Sequence, residues 1–333
     1  LRGRLMDRPS YRAFAVPIAL LVVAVIDYLF LGTLQFINAL TIGGIYALIA
    51  LGYTMVYGII ELINFAHGDV FMCGSMVTMA MLTGLGFSGT IDQPVELIVV
   101  LIATFLVAMV AMGLVGVIIE RVAYRPLRNA PKLAPLITAI GVSFILENII
   151  QAIVGPQQVS VPQILDTQAQ VSLLGVQVSF LKIFVIGIVL FLMVALQLFV
   201  GRTNMGRAMR STAIDRDAAS LMGVNIDFTI ALTFFIGSSL AGAAGVVQGL
   251  YFGTTFFQLG FESGLKAFTA AVLGGIGNTT GAALGGFVIG FVEVNATVLG
   301  YSRWAEAFTF TVLVLVLVFR PTGLLGQQLA ERA

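Results

Sequence analysis

Long stretches without a charged residue dominate the chain. Residues 28–60, 70–91, 97–119, 228–261 and 267–292 contain no Asp, Glu, Lys or Arg, and residues 183–201 form a sixth such run after Lys182. A helix needs about 20 mostly apolar residues to cross a ~30 Å hydrocarbon core, so each run predicts a membrane span. Shorter apolar runs at 13–26, 133–146 and 307–319 reach across with a flanking polar residue or a tilt. The runs 28–60 and 228–261 exceed one helix, and each must include a turn or loop. Pro126, Pro131, Pro156, Pro162 and Pro321 fall between runs, and Pro135 stands where a helix would begin, the position proline tolerates best.

The basic positions order these spans. Arg2, Arg4, Arg8 and Arg12 form one cluster; Arg121, Arg125, Arg128 and Lys132 a second; Arg202, Arg207, Arg210 and Arg216 a third; Arg320 and Arg332 lie near the end. Together they are 14 of the 17 Lys and Arg residues. The positive-inside rule assigns all four clusters to the cytoplasm, so an even number of spans must separate them. Four fit between the first two clusters (13–31, 35–59, 63–87, 96–119) and two between the next pair (135–154, 180–200). Four fill the remainder (228–250, 264–277, 279–299, 304–320), of which 264–277 is short and reads as re-entrant or broken. The predicted fold is an all-α integral membrane protein, a polytopic bundle of about 8–10 transmembrane helices with both termini cytoplasmic. The Arg-rich start and the apolar run from Phe14 to Ile26, with no small-residue cleavage site, predict an uncleaved signal-anchor helix.

Composition agrees and excludes other classes. The chain is 59% hydrophobic and 10% charged, against about 25% charged in soluble domains. That balance excludes a cytosolic enzyme, a nucleic-acid binder and a disordered chain. One cysteine, Cys73, and one histidine, His67, leave no disulfide framework and no Cys/His zinc site. The sequence also lacks the G-x-x-x-x-G-K-[ST] phosphate loop, so no ATPase site, metal or cofactor is expected. Glycine is abundant, at 37 residues. Gly277, Gly281 and Gly285 repeat four apart, as do Gly286 and Gly290, and Gly245 and Gly249. Small residues at this spacing let helix backbones approach closely. The first expectation is packing within the subunit; a subunit interface or pathway lining is the alternative.

Ionisable groups at membrane depth are costly and therefore candidates for function. Glu61, Asn64, His67 and Asp69 cluster between the second and third predicted spans, flanked by Gly58, Gly68 and Gly74, which suggests a broken backbone. The plainer reading is a capped helix start near the cytoplasmic surface, since Asn64 and Asp69 both cap well. Glu147 and Glu293 lie well inside spans and would snorkel or pair with Lys182, Lys266 or Arg303. The loop 201–227 mixes Arg and Asp with helix formers and predicts a short surface helix with an apolar face, lying on the membrane or docked into a cytoplasmic partner.

Four ordered motifs carry a family resemblance. ALIALGYTMVYGIIELINFA at 47–66 runs on into HGDVFMCGS; IERVAYRPLRNAPKLAPLITAIG stands at 119–141; NMGRAMRSTAIDRDAASLMGVN at 204–225; and GLKAFTAAVLGGIGNTTGAALGG at 264–286. Together they resemble the LivH-type permeases of branched-chain amino-acid ABC importers over about 35–326. The resemblance implies an N-terminal extension over 1–34, since family members begin near Gln35, a permease domain over 35–326, a coupling loop at 201–227 and a cytoplasmic tail at 327–333. It also implies partners: a second homologous permease subunit, two cytoplasmic ABC ATPase subunits and a periplasmic or lipid-anchored substrate-binding protein, all at a bacterial inner membrane. Asp217, Ala218, Ala219 and Gly223 match the E-A-A-x-x-x-G coupling pattern of that family, with Asp in place of Glu. Asn64, His67 and Asp69, with Gly274, Gly275 and Gly277, are the candidate translocation path, where broken-helix backbone could bind a zwitterion. Gly281, Gly285, Gly286 and Gly290 are assigned to helix packing. Relatives that carry urea or short amides leave the substrate open. An ion-coupled secondary transporter using Glu147, Glu293 and His67, or a non-transporting scaffold, are the rival readings of the residues alone.

Overall fold

The computed structural model describes residues 32–326 apart from 129, 132, 174 and 321. The expected signal-anchor segment and the tail 327–333 lie outside the described residues. Nine long helices follow one another at the predicted places: α1 (Thr33–Ile60), α2 (His67–Gly84), α3 (Pro94–Ile119), α4 (Leu133–Val154) and α5 (Phe180–Arg202), then, after two short helices α6 (Asn204–Ile214) and α7 (Arg216–Leu221), α8 (Ile226–Phe252), α9 (Leu259–Gly274), α10 (Thr279–Val298) and α11 (Ala305–Phe319). Among the described residues, strand pairing is confined to two small antiparallel pairs, β1 (Val159–Ser160) with β4 (Thr254–Thr255) and β2 (Gln170–Leu173) with β3 (Val176–Ser179).

Seven of the nine long helices are long and apolar enough to cross a membrane; α2 and α9 are the two that are not. The predicted span 63–87 is helical only from His67, and the predicted 264–277 segment is the helix Leu259–Gly274. Helix α9, with 16 residues, is too short, and α2, with 18, is too polar; both begin inside the bundle. His67 and Gly237 each meet the space beside Gly52. Gly237 stands eleven residues into α8, or about 16 Å along its axis. Gly68 in turn meets Gly260 and Gly264 near the start of α9. From this shared level α9 runs toward the end of the bundle that carries Arg121, Arg125 and Arg128, and α2 runs the other way.

The core forms around α1 and α8, the most buried of the spans. Close approach of backbones explains the glycine content. A Cβ on Gly43 would lie 2.8 Å from Phe287 Cα, and one on Gly74 would lie 2.8 Å from Gly242 Cα. Lipid tails are as apolar as the helices, so packing of this kind, rather than exclusion of apolar groups from water, holds membrane helices together. Helices α4, α5 and α11 instead turn large apolar side chains outward, among them Ile137, Phe144, Phe191, Val194 and Val318. At the basic end, Asp227 on α8 pairs with Arg125 and Arg128, and Arg128 also pairs with the buried Glu120, which ties the exit of α3 to the entry of α8.

The loop expected as one surface helix is two. Asp215 adopts an extended conformation (φ −156°) that interrupts the helix, and its carboxylate then accepts from the amides of Asp217 and Ala218 to start α7. One residue thus ends α6 and caps α7.

Candidate functional site

The break between α1 and α2 builds the site. Helix α1 ends at Ile60 because Glu61 turns left-handed (φ 56°, ψ 25°), the one non-glycine residue at positive φ among the described residues. Leu62 to Asn64 then run without helical structure, and α2 begins at His67 with Ala66 as its N-cap. Neither Asn64 nor Asp69 caps that helix through its side chain, so the expectation of an ordinary capped start is replaced by a start buried in the bundle.

Asn64, His67 and Asp69 are brought together here, all three at most 2% exposed. The His67 ring stands edge-on to Tyr53 with centroids 4.7 Å apart. The Ile49 carbonyl faces the ring, yet neither ring nitrogen reaches hydrogen-bond geometry. Asp69 Oδ1 is also unpartnered, and a Cβ on Gly260 would lie 2.4 Å from it. The carboxylate therefore lies at the first turns of both α2 and α9, where the positive ends of the helix dipoles favour an anion. Helix α4 brings the Ser143 hydroxyl to the same carboxylate, with Glu147 one turn further on. Buried polar groups normally find partners, and clusters that do not are unusual.

Asn64 sits at the edge of this cluster. Its Oδ1 lies 3.2 Å from the Tyr124 hydroxyl, while its amide nitrogen is buried without a partner. It lines a narrow, partly open cleft with Tyr53, Tyr57, Ile63, Phe268, Ala271 and Ile276. The wall is aromatic and aliphatic, with one unsatisfied amide: a surface suited to a small molecule with one polar and one apolar end.

The second stretch of the predicted path lies next to the first, toward the basic end. Gly274 and Gly275 form the turn between α9 and α10 at the basic end, and the chain after α11 covers them: Leu324 N–H donates to Leu273 O at 2.8 Å and Leu325 N–H to Gly274 O at 3.0 Å. The Asn278 amide donates to Leu325 O at 2.9 Å while its oxygen caps α10. Gly277 (φ 92°) stands beside Gly58. Through Ile276 this turn also lines the Asn64 cleft. The four remaining glycines divide between two neighbours: Gly281 and Gly285 face Gly274 and Ala270 of α9, whereas Gly286 and Gly290 face Ala47 and Gly43 of α1.

In the basic loop, Asp217 and Ala218 are exposed in the first turn of α7 and Ala219 is buried. Gly223 (φ 85°) closes the helix: its amide donates to Ser220 O and that of Val224 to Ala219 O, the paired bonds of a Schellman motif. Leu221 and Met222 project beyond, 89% and 85% exposed. Glu293 takes the expected kind of partner: Lys266 Nζ lies 2.8 Å from it, and the Tyr46 hydroxyl donates to its other oxygen at 2.7 Å. Lys182 instead donates to Asn38 Oδ1 at 2.6 Å.

Sequence reasoning missed Tyr53, Phe268, Tyr124 and the glycine pair Gly260 and Gly264. The four-residue spacing of that pair is the signal that could have found it. The aromatic residues are unmarked among 25 Phe and 8 Tyr.

A bundle of long apolar helices interrupted by two that start at mid-depth, with unpartnered polar groups where they meet, defines a multi-pass membrane protein of the permease class. The family of branched-chain amino acid transport system permease components matches residues 35–317, and the chain belongs to it. The permease BraD of the high-affinity branched-chain amino acid transport system of Pseudomonas aeruginosa is 42% identical over 302 residues, covering 90% of this chain and 97% of its own. The corresponding permease LivH of Escherichia coli K12 is 43% identical, covering 90% and 96%. A probable branched-chain amino acid permease LivH of Methanocaldococcus jannaschii is 26% identical over 310 residues. No solved structure matches the chain.

Proposed function

We propose that the chain is one permease subunit of an ATP-driven, binding-protein-dependent importer of branched-chain amino acids in a bacterial inner membrane. Identity above 40% along 90% of the chain to two permeases of high-affinity branched-chain amino acid systems carries this reading. A second homologous permease subunit completes the pathway, a substrate-binding protein delivers the ligand outside, and two ABC ATPase subunits act on the basic face. That face, with Arg121, Arg125, Arg128 and Arg202, is cytoplasmic by the positive-inside rule.

The break at Glu61–Asp69 is the proposed path residue group. Asp69 offers the ammonium of a zwitterion a counter-charge, and the free Asn64 amide offers its carboxylate a donor. Tyr53, Phe268 and Ala271 offer the side chain an apolar wall. The exposed residues Asp217 and Ala218, followed by Leu221 and Met222, are the proposed contact with the ATPase subunits, with Ala219 and Gly223 fixing the shape of α7.

Reconstitution tests the reading. The chain alone in liposomes should take up no leucine, isoleucine or valine. Uptake should require its permease, ATPase and binding-protein partners together with ATP. Uptake driven by a proton or sodium gradient alone would overturn it. Ligand binding by the cognate binding protein identifies the substrate among neutral amino acids.

A further inference from the structure

Helix α1 ends where α7 begins to matter. With α1 stopping at Ile60, its last carbonyls lack helical partners. Tyr57 O is satisfied by the Glu61 amide. Ile59 O is satisfied by Arg216, whose guanidinium donates to it at 3.0 Å across 157 positions of sequence. Arg216 is the first residue of α7 and immediately precedes Asp217. A cation at the negative end of a 28-residue helix is favoured by the helix dipole, and a charged donor strengthens the bond. Among the described residues this is the one side-chain hydrogen bond from α7 to a membrane helix.

The segment beyond Ile59 is poised to respond. Glu61 holds a left-handed conformation that costs an L-residue about 1–2 kcal/mol, and such a conformation persists only where its surroundings hold it. Two side chains do so from opposite sides. Arg216 holds Ile59 from the third basic cluster, and the Tyr124 hydroxyl, five residues past the end of α3, lies 3.1 Å from Ile63 O and 3.2 Å from Asn64 Oδ1. Between these two tethers lies the strained turn, and the next residues are those of the buried cluster.

We infer that Arg216 is the positioning residue that links α7 to the Glu61–His67 break, so that displacement of α7 moves the segment carrying Asn64 and His67. The inference rests on the proposed importer function and adds to it the connection between the ATPase contact and the path. Tyr124 is the fixed point, because it belongs to the α3 exit that Glu120, Arg128 and Asp227 lock to α8. Arg216 is the moving one.

The test uses the full complex in proteoliposomes. Arg216→Ala should lower binding-protein-dependent leucine uptake by about tenfold or more while ATP hydrolysis stays within about twofold and the ATPase subunits still co-purify, a coupling loss rather than an assembly loss. Arg216→Lys, which keeps a cation and a donor, should restore part of the uptake. Wild-type uptake in Arg216→Ala, or loss of the ATPase subunits from that complex, would overturn the link. A second measurement does not depend on that variant. Spin labels at Glu61 and Ser220, in a Cys73→Ala background, should keep their separation within about 3 Å on ATP binding, as two parts of one moving body. A larger change would show α7 moving without the turn. If the wild-type complex itself takes up no amino acid with ATP, the importer reading fails and the link falls with it.

Discussion

Asp69 Oδ1 lies 2.4 Å from the point where a side chain on Gly260 would begin. The first turns of α2 and α9 thus meet through a carboxylate and a bare backbone. Gly260→Ala should destabilise the protein by about 1–3 kcal/mol, the cost of overpacking a site with no room to give. Gly84, at the far end of α2, has open space around it, and Gly84→Ala should be neutral. Thermal melts in detergent compare the two; equal midpoints would show that the contact is soft.

His67 tests whether unpartnered groups are kept for transport. Its two ring nitrogens make no hydrogen bond in a buried setting, which carries a desolvation cost of about 1–3 kcal/mol. His67→Met should therefore cost less than about 1.5 kcal/mol of stability while abolishing uptake in the reconstituted complex. Retained uptake would assign His67 to packing against Tyr53.

Lys266 and Glu293 form a pair at 2.8 Å. The pair is only partly buried, so removing one partner should cost less than the ~3–5 kcal/mol of a fully buried pair, whereas replacing both with apolar groups is often neutral. Lys266→Met should lower the melting midpoint, and the double variant Lys266→Met, Glu293→Leu should recover most of it. The Tyr46 hydroxyl loses its acceptor in the double variant, so recovery should be incomplete.

Gly223 occupies φ 85°, a conformation that excludes a β-branched side chain. Gly223→Val should abolish transport with membrane insertion intact, because the Schellman turn that sets the direction of α7 cannot form. Leu221→Asp with Met222→Asp should release the ATPase subunits in a pull-down without altering the fold, since both side chains are exposed. ATP hydrolysis still stimulated by substrate in either variant would remove α7 from the coupling path.

The positions of all nine long helices were legible in the sequence, because hydrocarbon thickness dictates the length of an apolar run and charge is excluded from it. The motif NFAHGD, its flanking glycines and the basic loop were legible for the same reason: polar residues stand out against an apolar background. The count of full spans was not. The pattern marks 264–277 as short or broken and suggests a broken backbone at 61–69, but it does not say that α2 and α9 start at one shared level; that depends on Gly68, Gly260 and Gly264 meeting across 192 positions or more. The turn at Gly274–Gly277 looked equivalent to the one at Asn64 because both are polar or glycine-rich breaks. Only the return of Leu324 and Leu325 onto Leu273 and Gly274 distinguishes it.

The amino-acid sequence by itself determined that this chain lies in a membrane, where its spans fall and which stretches are too polar to be ordinary spans, since these follow from the transfer of each residue between water and hydrocarbon. The tertiary structure decided which breaks meet, that Asp69 is placed between two helix starts, and that Arg216 reaches Ile59. Those are pairings between residues far apart in the chain, set by backbone contacts at glycine and by hydrogen bonds that helix ends leave open.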